Sequence, residues 1–249
     1  MDLVPARREL RDQGWTVLRE LPFLVDGRVR VRGVGVGGEV DRSAVLALAL
    51  AAEFGRPSRR DGGAAVWPVQ PAPGGNGGTF SVTAGGAGLH TDSQYHAKPE
   101  PLVCLFAVRP AEDGGHTRLL TAADAASALS SEREPDSSNI LHALAAPVWQ
   151  WRVPREFAAG DRTVSPAAAV LPGDGTIRWR ADNVVRRHGG PAPQLVARVA
   201  HALDTAPEVR TFPLEAGDAL ILDNRRVLHG RTSFGDPRRL LLRVRLWER

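Results

Sequence analysis

The sequence predicts a mainly β fold with flanking helices, built on a double-stranded β-helix (jelly-roll) core. Short strand-like runs bounded by Gly and Pro turn signals recur along the chain, as they do in a double-sheet jelly roll. The apolar run "PLVCLFAVRP" is unbroken until Pro110, the pattern of a strand buried on both faces. Helix signals cluster at the N-terminal side and in one insertion.

"ARRELRDQ" reads as a short helix that runs through Gly14 into a strand, and "RVRVRGVGVGG" as a glycine-punctuated strand. "DRSAVLALALAAEFG" is a helix with an Asp41 or Ser43 cap and a stop at Gly55. The Pro- and Gly-dense stretch 56–88 is expected to be irregular around short strands at Val66–Val69 and 79–83. A loop of that length in a compact domain is functional or mobile, and this one leads into His90 as a lid or a pocket wall. Beyond the buried run, "EDGGHTRLL" is a turn and a strand. "TAADAASALSSE" is a helix with Thr121 or Asp124 near its start, and "EREPDSSN" a flexible polar stretch. Strands are expected in "PVWQWRV", "AAAVLP" and "TIRWRADNV", separated by turns at Gly160 and Asp161 and at Gly173, Asp174 and Gly175. "APQLVARVAHALDTAP" is a helix. Strands in "VRTFPL", "ALILD" and "RRLLLRVRLWE" close the chain, with "EAGD" as a turn. No internal repeat or linker interrupts residues 1–249, which read as one domain.

A chain of 249 residues can bury one sizeable core, and 43% hydrophobic with 24% charged residues is an ordinary globular composition. No run approaches the roughly 18 apolar residues of a membrane span. The N-terminus lacks the apolar core of a signal peptide, so cytoplasmic residence is the expectation. One cysteine, Cys104, excludes an internal disulfide and thiolate metal clusters, and its apolar neighbours mark it as a packing residue. The net charge of +4 rests on arginine, since Lys98 is the sole lysine. No basic run is interleaved with aromatics, so no nucleic-acid partner is expected.

Seven histidines are present, and two carry context. His90 precedes Asp92 by two residues, which on an extended strand places both side chains on one face. His229 follows the strand-like "GDALILDNRRVL", placing its imidazole at a cavity mouth. Two imidazoles and one carboxylate on one side of a metal leave three positions open, the geometry of non-haem Fe(II) oxygenases. His96, His116, His142, His188 and His201 have no such support and read as structural.

In "RRLLLR", Arg239, Leu241 and Arg243 share one strand face, with Leu240, Leu242 and Val244 on the other. Buried guanidinium groups need anions, and their fork suits a carboxylate, supplied either by a ligand or by the protein itself.

With these pieces in order, "GLHTD", "GGHT", "GDALILDNRRVLHGR" and "RRLLLR" resemble the Fe(II)/2-oxoglutarate-dependent dioxygenases of the TauD/TfdA superfamily, including its clavaminate synthase-like members. The likeness runs from about residue 80 to the C-terminus, and "GWTVLRELPF" is similar to the family's usual opening. It implies a distorted jelly roll with iron on His90, Asp92 and His229. It implies 2-oxoglutarate held at its distal carboxylate by Thr117 and Arg239, with Arg243 a second cosubstrate-side arginine. The interval from His229 to Arg239 is slightly short for the family, which leaves Arg238 as an alternative. The reaction implied is O2-dependent hydroxylation of an unactivated C–H of a small polar molecule, with release of succinate and CO2. An amino acid or derivative, free or carrier-bound, is the implied substrate class, in a specialised biosynthetic pathway. Related halogenases lack the carboxylate supplied here by Asp92. Desaturation or cyclisation with the same cofactors stays open. So do a zinc hydrolase on the same three ligands and a non-catalytic jelly-roll binding module.

Overall fold

Pro5 sits in the first turn of α1 (Val4–Gln13), where its missing N–H costs nothing, and Gly14 closes the helix. The computed structural model describes residues 2–21, 42–60, 63–72, 79–130, 137–154, 157, 163–186 and 190–249. The strand expected in "RVRVRGVGVGG", the Asp41 cap, the turn at Gly160 and Asp161, and His188 lie outside the described residues. Parts of the 56–88 stretch and residues 131–136 do as well.

After α1 come β1 (Trp15–Leu18), α2 (Arg42–Ala52), β2 (Arg56–Pro57), β3 (Val66–Val69), β4 (Ala87–His90), β5 (Leu102–Arg109) and β6 (Thr117–Thr121). The chain continues through α3 (Ala122–Ser130), α4 (Ser137–Ala145), α5 (Pro193–Thr205), β7 (Arg210–Phe212), β8 (Ala219–Asp223), β9 (Val227–Arg231) and β10 (Leu240–Trp247). All ladders are antiparallel. One sheet runs β1-β8-β5-β10-β2, with β3 also on β10. The other runs β4-β9-β6-β7.

Period-2 alternation sorts the side chains into layers. Cys104, Phe106, Ile221, Leu242 and Val244 leave the first sheet outward and pack with Ala47, Leu50 and Ala51 of α2. Val103, Ala107, Leu220, Leu222 and Leu241 leave it inward and meet Leu119 and Val227 of the second sheet. The far side of the second sheet, through Leu89, Leu120 and Leu228, is covered by α3, α4, α5 and the buried Trp149, Trp151 and Trp179. The two sheets thus face each other across an apolar layer, each backed by helices. β5, central in its sheet, is buried on both faces as its unbroken apolar run predicts. Burial pushes the Cys104 thiol pKa up, consistent with a packing role. No helix among the described residues is long and apolar enough to cross a membrane.

Three expectations need correction. Residues 79–83 form a 3-10 turn over Phe80–Val82 and no strand. Thr79 Oγ1 caps it by accepting from the Ser81 amide, while Gln70 and Ala72 just past β3 donate to the carbonyls of Ser81 and Val82. The segments "PVWQWRV", "AAAVLP" and "TIRWRADNV" make isolated bridges, Trp149 to Ala168, Trp151 to Val184 and Arg152 to Val164. Their hydrogen-bond partner changes from residue to residue, and Pro147, Pro154, Pro166 and Pro172 interrupt donation, so no ladder propagates. α4 takes in the end of the stretch read as flexible, burying Ile140 and Leu144 one turn apart. Thr121 does cap α3: its hydroxyl accepts from the Asp124 amide and donates to the Asp124 carboxylate.

Candidate metal centre and its cleft

His90 ends β4 directly opposite His229 on β9, with ring centroids 4.4 Å apart. The register of β4 on β9 shifts between Ala87 and His90, so that Leu89 turns outward to the helices while Ala87 and His90 both face the cleft. Gly230 permits this irregular approach: a Cβ there would lie 2.6 Å from the Ala87 carbonyl oxygen.

Asp92 reaches the site differently from the expectation of a shared strand face, because β4 stops at His90 and Asp92 lies in the following turn. Ser93 has a positive φ of 59° there. Thr91 N–H donates to the Trp179 carbonyl at 2.8 Å. Asn224, just past β8, then holds the Asp92 peptide on both sides. Its Oδ1 accepts from Asp92 N–H at 2.7 Å, and its Nδ2 donates to the Asp92 carbonyl at 3.0 Å and the Glu100 carbonyl at 2.9 Å.

The result brings His90, Asp92 and His229 together, one donor atom from each lying within 4.8 Å of the others. Asp92 Oδ1 stands 3.8 Å from His90 Nε2 and 3.9 Å from His229 Nε2. Both separations are below the roughly 4.2 Å that two bonds of about 2.1 Å to one cation can span. His90 Nδ1–H donates to the Gly88 carbonyl at 2.9 Å, which leaves the Nε2 lone pair for a ligand. Burial, then the neighbouring imidazole and Arg180, hold the His90 pKa well below its usual value, and burial likewise lowers that of His229. Burial would raise the Asp92 pKa, but Arg243 and the neighbouring cations outweigh it and hold the carboxyl ionised. Two neutral imidazoles and a carboxylate are the protonation states a divalent metal requires.

These groups line one end of a cleft, together with Val69, Phe80, Leu105, Thr117, Arg239 and Arg243. Arg243 Nη1 lies 3.0 Å from Asp92 Oδ2, the oxygen turned away from the imidazoles. Arg239 is 4% exposed and packs its guanidinium 4.9 Å from the Phe234 ring centroid. Its guanidinium has no hydrogen bond or ion pair among the described residues, and burial lowers its pKa to about 10. Gly115, with φ +67°, makes room for it, since a Cβ there would come 2.9 Å from Arg239 Nε. Arg238 is the opposite case, more than half exposed and paired with Glu112 and Asp236 outside the cleft.

Arg245 continues the inward row of β10 and donates to Ser93 Oγ beneath the Asp92 turn. One step of the same period beyond Arg243 reaches Arg245, a signal present in the sequence. The Asn224 clamp carried no sequence signal beyond its place in "DNRR". Asp223, six residues before His229, accepts from the Arg225 amide in a local turn. Trp149, Trp151 and Trp179 are core, and Tyr95 and Gln94 are buried without lining the cleft.

The family described as "Taurine catabolism dioxygenase TauD, TfdA family" matches residues 4–245. L-asparagine oxygenase of Streptomyces coelicolor (strain ATCC BAA-471 / A3(2) / M145) is 31% identical over 253 residues, covering 94% of this chain and 69% of the relative. A crystal structure of asparagine oxygenase superposes with a TM-score of 0.74 at 25% identity, covering 97% of this chain and 76% of that one. Non-heme iron oxygenase OrfP, in complex with Fe and alpha-ketoglutaric acid, shares the fold at a TM-score of 0.69 and 19% identity, covering 98% of this chain and 78% of that one.

Proposed function

Since the chain belongs to the taurine catabolism dioxygenase TauD, TfdA family, we propose that it is an Fe(II)- and 2-oxoglutarate-dependent hydroxylase of an amino acid or amino-acid derivative. The two facing antiparallel sheets are its double-stranded β-helix. His90 Nε2, Asp92 Oδ1 and His229 Nε2 hold the iron. Arg239 and Thr117 take the distal carboxylate of 2-oxoglutarate, with Arg243 on the same side of the cleft. The observation that carries this reading is the convergence of the three donors beside a buried guanidinium that has no anion among the described residues. A zinc hydrolase on the same ligands would leave that cation unanswered.

Iron with 2-oxoglutarate supplies the oxidising power, coupling decarboxylation to succinate and CO2 with hydroxylation of a substrate C–H by O2. The protein supplies orientation. Gly88 fixes the tautomer of His90, Asn224 sets the Asp92 turn, and Arg243 holds the second Asp92 oxygen, so that Oδ1 is the one that would face a metal. Arg239 fixes the far end of the 2-oxo acid, which sets the angle of its reacting end. Val69, Phe80, Leu105 and Leu241 supply apolar wall, so bulk water is displaced as ligands fill the cleft. No side chain is required as a general base.

The relatives named for asparagine, together with the hydroxylated arginines bound in OrfP structures, support a small amino-acid substrate. Anaerobic titration of 2-oxoglutarate into the Fe(II)-loaded protein is expected to raise a visible charge-transfer band. Mass spectrometry of amino acids incubated with the aerobic enzyme is expected to show gain of one oxygen matched by succinate. A protein that binds iron yet gives no band and no succinate would sink the proposal.

A further inference from the structure

Arg239 stands between two cavities. One side faces the cleft of His90, Asp92 and His229. The other faces a rear cavity, open to solvent, whose walls include Ala111, Glu112, His116, Leu214 and Glu215. Among the described residues, only Arg239 and Leu241 line both. Packing alone fixes the guanidinium: the Phe234 ring on one side and the Cβ-free surface of Gly115 beside Nε. No carboxylate or carbonyl among the described residues accepts from it, so no hydrogen bond must break for it to move. Behind it lie space and the carboxylate of Glu215, with Glu112, the partner of Arg238, on the same wall.

We propose that the cosubstrate pocket is extensible at Arg239, so that 2-oxoadipate, one methylene longer than 2-oxoglutarate, also binds there. Arg239 retreats toward the rear cavity while keeping its grip on the distal carboxylate. The extra methylene asks for a displacement of about 1.5 Å at most, one carbon–carbon bond, which side-chain rotation of arginine covers. A wall of fixed backbone or a hydrogen-bonded arginine would reject the longer acid. This inference rests on reading the cleft as the 2-oxoglutarate site.

The test is anaerobic titration of 2-oxoglutarate and 2-oxoadipate against the Fe(II)-loaded protein, followed by the charge-transfer band and by calorimetry. The wild-type Kd for 2-oxoadipate is expected within about tenfold of that for 2-oxoglutarate. Ala111→Phe, which adds bulk to the wall of the rear cavity without touching the metal ligands, is expected to weaken 2-oxoadipate about tenfold or more and 2-oxoglutarate by less than about threefold. A wild-type ratio beyond about tenfold overturns the proposal by itself, whatever the variant does. Equal weakening of both acids by Ala111→Phe, or of neither, overturns it too. Failure of 2-oxoglutarate itself to bind would sink the functional reading and this inference with it.

Discussion

Asn224 binds both polar groups of the Asp92 backbone, accepting from its N–H at 2.7 Å and donating to its carbonyl at 3.0 Å. Both residues are almost wholly buried. The clamp turns an exit from β4 into a fixed arm carrying a carboxylate. Asn224→Ala should strand those backbone groups, costing about 1–3 kcal/mol in urea unfolding. It should also weaken Fe(II) binding about 10–100-fold, the usual cost of losing a group that orients a ligand. Stability loss with unchanged iron affinity would assign Asn224 to folding alone.

Arg239→Ala should raise the Kd for 2-oxoglutarate about 100-fold, as loss of a charge-assisted pair in a buried site implies. Iron content should stay at the wild-type level. Arg238→Ala removes only an exposed pair with Glu112 and Asp236 and should change that Kd less than about twofold. Comparable losses in both variants would count against the assignment of Arg239.

Asp92→Ala removes one of the three proposed metal donors and leaves Arg243 facing the gap. Succinate formation coupled to substrate hydroxylation should fall to background. Coupled turnover at the wild-type rate would show that Asp92 is no ligand.

Gly230→Ala should drive a methyl group against the Ala87 carbonyl oxygen, where the Cβ would sit at 2.6 Å. Relief requires moving β4, which carries His90. The expected cost is about 1–3 kcal/mol of stability, read from the thermal midpoint, with a parallel loss of iron affinity. A fully stable variant with intact iron binding would mean that the β4 irregularity is not needed.

Glu100 lies under the Asp92 turn, fully buried and paired with Arg60 and Ser58. Burial would raise its pKa, but Arg245, Ser58 and Arg60 outweigh that and lower it. A carboxyl whose folded pKa lies below its unfolded value stabilises the protein above that unfolded value, near 4.3. That stability is lost as pH falls through the folded value. Glu100→Gln should therefore flatten the decline of the urea midpoint below about pH 4.5, while lowering stability at neutral pH. Parallel pH profiles for variant and wild type would contradict this.

Much of the site was legible because its chemistry is local. His90 and Asp92 are close neighbours, and His229 lies in a strand whose alternation can be counted. The shared face of Arg239 and Arg243 follows from period two, but period two does not say what covers the other face: Leu242 and Val244 pack against α2 and not against the opposite sheet. Where reading failed, hydrogen-bond partners had to come from far along the chain. The tryptophan segments look like strands because Trp149 and Trp151 alternate with polar residues. Pairing that switches at each step, between prolines, leaves them as bridged coil.

The sequence by itself determined which side chains are available for metal and carboxylate chemistry, and that Arg239 and Arg243 share one face of β10, because residue type and strand period are properties of neighbours. Only the tertiary structure decided that Asp92 arrives from a turn gripped by Asn224, that Arg239 and not Arg238 turns into the cleft, and that a second cavity lies behind it. Those outcomes depend on register and packing between segments distant in the chain, where a shift of one residue or a single Cβ changes which atoms meet.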